Sequence, residues 1–259
     1  MARRMTTVDG VVLSHQEYDL LWADLQAGPQ PYPLEVRSHG YTMAERDELG
    51  GHVFETLAQG GFVDEHDEVD PRLDELLMLL AGPAFSVDAL VLAEVPLRVL
   101  AAAGARDGVL AVLDERELAL RPCRPHELVD LVAGVIGDRP PGPGQSVRLP
   151  REVFSAAMNA FAGNGFLGFE RTLADAGVAG RETRALATIV ESPRAASGQA
   201  AANRAGRRSP VVTWYDTEAG RYAAIVEEVA GTRWVTVTPA DGRWLAGRIG
   251  ELLDRLAPG

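Results

Sequence analysis

The sequence predicts an α+β fold in which a central twisted antiparallel sheet is flanked by two helical bundles, assembled from two related halves. Three observations predict it. Arg139-Pro140-Pro141-Gly142-Pro143-Gly144 interrupts the chain near its middle, where neither helix nor strand can pass, and reads as a linker. Each side of that break begins with helical periodicity and changes to short β-like pieces. Each side then closes with a proline and an amphipathic helix, Pro122 ahead of one and Pro239 ahead of the other. The halves run over residues 11–138 and 145–257 within a single domain of residues 1–259.

The elements follow in order. Ser14 is placed to cap a first helix with the stripe Tyr18, Leu21, Trp22 and Leu25. Leu34-Glu35-Val36-Arg37 reads as a strand after a Pro-rich turn. Leu49, Val53 and Leu57 carry a helix to Gly60-Gly61, and Leu73, Leu76, Leu77 and Leu80 carry another from Asp70-Pro71 to Pro83. Strands are expected at 89–93, 97–101, 109–113 and 117–120, then a helix on Leu128, Leu131, Val132, Val135 and Ile136. The second half answers with Leu149-Pro150, a stripe of Val153, Phe154, Ala157, Met158 and Phe161, and Leu173 ending at Gly177. Leu186, Ile189 and Val190 follow, up to Pro193. Strands are expected at 198–203, 211–215, 222–229 and 234–238, then a helix on Leu245, Ile249, Leu252, Leu253 and Leu256. The turns Gly104–Gly108 and Asp216–Gly220 are too short for a parallel crossover, so each meander is antiparallel. The first strand of each set is the least marked, and Ser197-Gly198-Gln199-Ala200-Ala201-Ala202 has a composition that also suits a helix. The 34–37 strand has no counterpart in the second half.

Composition narrows the function. With 259 residues, 46% hydrophobic and 24% charged, the chain can bury a sizeable core and does not read as disordered. No apolar run reaches membrane-spanning length, and none follows Arg3 and Arg4 to make a secretory signal. Cys123, the single cysteine, cannot form an internal disulfide, which fits a reducing, cytoplasmic location. The net charge of −12 disfavours nucleic acid as a partner. Every basic residue is arginine, which removes phosphate-loop lysines, Schiff-base lysines and Ser–Lys dyads together.

The chemistry-bearing motifs are weak. Gly163-Asn164-Gly165-Phe166-Leu167-Gly168 fits a dinucleotide fingerprint by letter, but helical periodicity precedes it where a strand is required, so it reads as a helix break. Asp64-Glu65-His66-Asp67-Glu68 with His52 matches no metal-site spacing and reads as a solvated loop; no metal or cofactor is expected. His15, His39 and His126 stand alone, and no G-x-S-x-G elbow accompanies them. A hydrolase with a scattered His and carboxylate is the enzymatic alternative, to be recognised by a deep pocket holding a perturbed histidine. A self-associating structural or regulatory subunit is another. Arg204, Arg207 and Arg208 suit a solvated turn or a contact for an acidic partner. Trp214, Tyr215, Tyr222, Trp234 and Trp244 concentrate aromatics in the second half, where core packing competes with an interface role. Alternation sets Trp214 and Tyr215 on opposite sheet faces.

A set of local marks, none of them catalytic, runs from Leu13 to Leu256: Val36-Arg37-Ser38-His39-Gly40-Tyr41-Thr42 with Glu45-Arg46, Arg98-Val99-Leu100-Ala101-Ala102, Ser197-Gly198-Gln199, Asp216-Thr217-Glu218-Ala219-Gly220-Arg221-Tyr222, and Trp234-Val235-Thr236-Val237-Thr238-Pro239. In their order and spacing the chain resembles the EspG family of type VII (ESX) secretion chaperones. The resemblance implies a pseudo-twofold fold and a non-enzymatic chaperone. This chaperone would bind PE–PPE or other helical-hairpin substrates in the cytoplasm, as a monomer or weak homodimer, receiving their tip on the sheet and second helical bundle. On this reading Trp214, Arg221, Tyr222 and Trp234, with Leu245 and Ile249 of the last helix, lie near the partner-binding surface. The loop around Leu92–Pro96 is shorter than in mycobacterial members, which would alter the choice of partner.

Overall fold

The computed structural model of the chain describes residues 10–66 and 68–257. Among them are seven α-helices and a large antiparallel sheet, and the chain divides into two compact units. The first comprises Met1–Leu90, Val95–Val132 and Asn203–Gly206; the second comprises Val91–Glu94, Ala133–Ala202 and Arg207–Gly259.

In the first unit, β1 (Val11–Ser14) leads directly into α1 (His15–Asp24), followed by α2 (Met43–Gln59) and α3 (Pro71–Ala81). The meander is β2 (Phe85–Leu92), β3 (Leu97–Ala103), β4 (Gly108–Leu113) and β5 (Glu117–Cys123), and the strands lie in the order β1-β5-β4-β3-β2. A 3₁₀ turn at Pro125–Glu127 opens α4 (Leu128–Ile136). Ser14 caps α1 through a capping box with Glu17, and Thr42 caps α2 through one with Glu45. Asp70 caps α3, with Pro71 in its first turn. The apolar stripes of the three helices meet one sheet face: Tyr18, Leu21, Leu57, Leu73 and Leu77 join Leu13, Leu100, Val109, Ala111 and Leu118 in one core.

In the second unit, β6 (Val147–Pro150) leads into α5 (Arg151–Asp175), and α6 (Arg181–Glu191) precedes β7 (Arg194–Arg204), β8 (Arg207–Arg208), β9 (Val212–Thr217), β10 (Gly220–Val229) and β11 (Thr232–Pro239). The helix α7 (Gly242–Asp254) closes it, and the main strand order is β7-β9-β10-β11-β6. Gly165 leaves helical geometry inside α5 (φ 62°, ψ −155°), so α5 is two helical segments joined at a kink. The glycine run is thus a helix break. Residues 198–203, ambiguous by propensity, are strand.

Three expectations are corrected. Residues 34–37 form no strand: Val36 donates its N–H to Gln30 Oε1 (2.7 Å), and the Glu35 carbonyl accepts from Arg98, so side chains occupy groups a ladder would use. The first half therefore has no extra strand there. Instead, Leu13-Ser14 and Leu149-Pro150 each end a four-residue strand, β1 against β5 and β6 against β11. Third, the proline-rich segment is not a free linker. Arg221 donates its N–H to the Pro140 carbonyl (2.9 Å), and Gly142 donates to the Arg221 carbonyl (2.9 Å).

Candidate partner-binding surface

Register decides which way the expected partner residues point. Across β9, β10 and β11, Tyr222 pairs with Tyr215 and Pro239, while Ala223 pairs with Trp214 and Thr238. Tyr215, Tyr222, Ala224, Val235 and Val237 share a core with α5 and α6. Trp214, Ala223, Ile225, Glu227 and Trp234 occupy the opposite face, where Arg248 of α7 meets Glu227 at 2.8 Å. The sheet of this unit is therefore covered on both faces. Trp214, Arg221, Tyr222, Leu245 and Ile249 are all buried. Of the six, Trp234 alone is partly exposed, with the Arg148 guanidinium 5.3 Å from its ring centre.

Arg221 is a clamp. Its Nε and one Nη donate to the two Asp216 oxygens (2.6 and 2.9 Å), a bidentate pair across the β9–β10 hairpin. The other nitrogen donates to the Gly137 carbonyl at 2.7 Å, at the C-terminal end of α4. Gly142 and Gly220 let the neighbouring backbones close in. A Cβ on Gly142 would lie 2.1 Å from the Tyr222 ring, and Gly220 has φ 126° with Gly142 N 2.6 Å from its would-be Cβ. Tyr222 donates its hydroxyl to the Pro143 carbonyl (2.9 Å), and burial raises its pKa.

The marks in the first unit make a second clamp. Arg46 donates to Asp19 (2.9 Å), Ser38 Oγ (2.8 Å) and the His39 carbonyl (2.8 Å), while the His39 N–H donates to Asp19 (2.7 Å). Gly40 has φ 87°, and a Cβ there would meet the Arg46 backbone at 3.0 Å. The clamp orders the entry to α2 and leaves Tyr41 and Met43 exposed beside it.

The histidines stand apart. His15 donates to the Asp114 carbonyl (3.0 Å), His39 lies beside the clamped Asp19, and His52, His66 and His126 are exposed on the surface. Asp64 uses its carboxylate to accept from the His66 and Glu68 N–H groups, ordering the acidic loop; Asp67 lies outside the described residues. No group of three metal-ligating side chains occurs among the described residues. The Cys123 thiol is pushed up to about 11, chiefly by burial and then by Glu127, which suppresses the nucleophilic thiolate.

A groove of about 810 Å³ runs along α7, lined by Trp244, Arg243, Arg248 and Ile225, and further apolar surface is open on α5 and α6. Phe154, Met158, Phe161 and Phe166 are only partly buried, and Leu167, just past the kink, is 78% exposed. A pocket of about 210 Å³ opens among Phe154, Met158, Leu186, Ile189, Val190 and Tyr215. A wider groove of about 650 Å³ runs between Leu167, Arg171 and Ala174 of α5 and Gly180, Thr183 and Arg184 by α6. Aromatic content did not point here. The available signal was a large apolar residue, Leu167, placed directly after a glycine break.

A sheet packed on both faces beneath a partly open, apolar helical pair has the anatomy of an interaction module. The chain belongs to the EspG family, whose sequence pattern matches residues 14–251. Its fold matches that of the Mycobacterium tuberculosis type VII secretion system chaperone EspG5, solved in complex with a PE25–PPE41 dimer. The TM-score is 0.76 at 18% identity, over 96% of this chain and 98% of that one. No curated protein matches the sequence.

Proposed function

We propose that this chain is a cytosolic secretion chaperone that binds PE–PPE-like helical heterodimers and keeps them soluble until a type VII machine takes them, without catalysing a reaction. The observation that carries this reading is membership of the EspG family over nearly the whole chain, and the fold shared with a chaperone solved on such a dimer supports it. A client whose apolar tip is aggregation-prone in water gains by burying it against the half-open helices of the second unit. On this reading Tyr222 supports the α5–α6 surface from beneath, Trp234 is a partner-facing residue at the half-exposed edge of the opposite sheet face, and Trp214, Arg221, Leu245 and Ile249 hold that second face from within. The two halves are read as related, with edge strands β1 and β6 and meanders ordered alike supporting it. Co-expression with PE–PPE-type heterodimers from the same genome, followed by size exclusion, tests the function. A soluble complex with one chaperone per heterodimer is expected; heterodimers that never co-elute with the chain refute it.

A further inference from the structure

The sheet face away from α5 and α6 carries α7, and the groove along that helix is walled by Ile225 and Pro239. Leu245, Ile249, Leu252 and Leu253 turn α7 onto the sheet. Its outer side presents Arg243, Gly247, Glu251 and Asp254, all exposed, with Trp244 and Gly250 half-buried at the margins. Glycine inside a helix is unfavourable, because it loses the most backbone freedom on folding. Yet a Cβ on Gly247 or Gly250 would meet nothing within 4 Å, so no described neighbour excludes a side chain at either position. Gly50 and Gly134 are equally open, so glycine alone marks no contact. What distinguishes α7 is the register of charge and bulk around Gly247.

Arg243 and Glu251 stand four residues to either side of Gly247, and Trp244 and Gly250 stand three to either side. An antiparallel copy of α7, related by a twofold axis at Gly247, therefore sets Arg243 against Glu251 and Trp244 against the open space over Gly250. Gly247 meets itself, where two backbones must come closest. This is the self-complementary pattern that an isologous contact requires. Asp254, one turn beyond Glu251, puts a second carboxylate within reach of the same guanidinium. Arg248 donates to Glu251 (2.9 Å) and fixes its carboxylate, while the Glu251 side chain stays 60% exposed.

Charge also favours a copy at this place. The chain carries −12, and two copies repel wherever that excess lies. Residues 1–144 hold 11 Arg against 25 Asp and Glu, whereas residues 145–259 hold 14 against 12. The helix α7 thus belongs to the half in which two copies meet without net repulsion.

We propose that α7 is a homodimerisation surface, two copies packing antiparallel about Gly247 and held by two reciprocal Arg243–Glu251 ion pairs. A helix of 13 residues is about 20 Å long, so this contact buries less than the roughly 1,200 Å² of a stable complex, and the dimer dissociates on dilution. The inference does not rest on the chaperone reading.

Sedimentation velocity of the full chain from about 5 to about 500 µM is expected to show monomer passing to dimer, with a Kd on the order of 100 µM. Gly247→Leu, which holds the backbones apart, is expected to leave only monomer, with a melting temperature no lower than the parent's. Arg243→Glu and Glu251→Arg each set like charges together at both pairs and are each expected to weaken the dimer at least about tenfold. Mixed in equal amounts, these two single variants are expected to form a heterodimer within about threefold of the parent's affinity, because both pairs are then opposite in charge. The proposal is overturned if the chain stays monomeric to about 500 µM, if Gly247→Leu dimerises like the parent, or if the mixed variants stay monomeric. All three variants are expected to keep co-elution with a PE–PPE-type heterodimer; its loss in a folded variant would assign the groove to the client and also overturn the proposal. A chain that dimerises as expected yet binds no heterodimer refutes the chaperone reading alone.

Discussion

The two arginine clamps use the same chemistry under different solvation. In the first unit, Arg46 holds Asp19 with 21% of its side chain still exposed; in the second, Arg221 holds Asp216 with none exposed. A half-wet clamp can exchange protein partners for water when it is broken, whereas a dry one leaves an orphaned charge. The comparison teaches why sequence marks of similar appearance differ in weight. His39-Gly40 with Arg46 organises a helix entrance at the surface, while Asp216 with Arg221 fastens two hairpin strands and a proline-rich segment in the interior.

That contrast can be broken experimentally. Arg221→Ala, stranding Asp216, is expected to cost about 3–5 kcal/mol in urea unfolding; a loss under about 1 kcal/mol would show that water reaches the site. Leu245→Ala or Ile249→Ala should cost about 2–5 kcal/mol as cavities, whereas Trp234→Ala should spare stability and weaken client binding in the co-elution assay. Equal destabilisation by all three would place Trp234 in the core. Arg46→Ala should cost about 1–3 kcal/mol, less than Arg221→Ala in the same assay, and the reverse order would undo the comparison. Glu227, whose pKa is lowered mainly by its hydrogen bond from Arg248, provides the smallest stability effect. Its stabilisation is present above the ordinary value of 4.5 and is lost as pH falls below it through the depressed folded value. Because Glu227 is 40% exposed, Glu227→Gln should cost less than about 1 kcal/mol at pH 7 and nothing in strong acid; a constant difference would exclude the linkage. Cys123 should resist iodoacetamide at pH 8 in the folded chain and react in urea, as mass spectrometry would record.

Helices were legible because caps and stripes are local: Ser14 and Asp70 both cap as their side chains dictate. The meanders were legible from turn spacing. β1 and β6 were not, since four residues running straight into a helix show no alternation of their own. Leu34–Arg37 has the alternation without the ladder, because Gln30 and Arg98 claim its backbone. For the site, Trp214 and Tyr215 do lie on opposite faces, but α7 covers one face and α5 with α6 the other, a tertiary fact no strand pattern encodes. Aromatic residues that suggested an interface are therefore mostly core, and Leu167 with Arg171 and Arg184 becomes a surface only once the kink at Gly165 sets two helices side by side.

The Arg221 carbonyl accepts from both Gly142 and Ala240, and its guanidinium reaches the carbonyl of Gly137 some 84 positions earlier. Segments from three places in the chain thus converge on one residue. A ribosome that has made the proline-rich stretch must still synthesise β10 before the backbone partners of that stretch exist. A nascent chain stopped before residue 216 would therefore carry an unfastened middle.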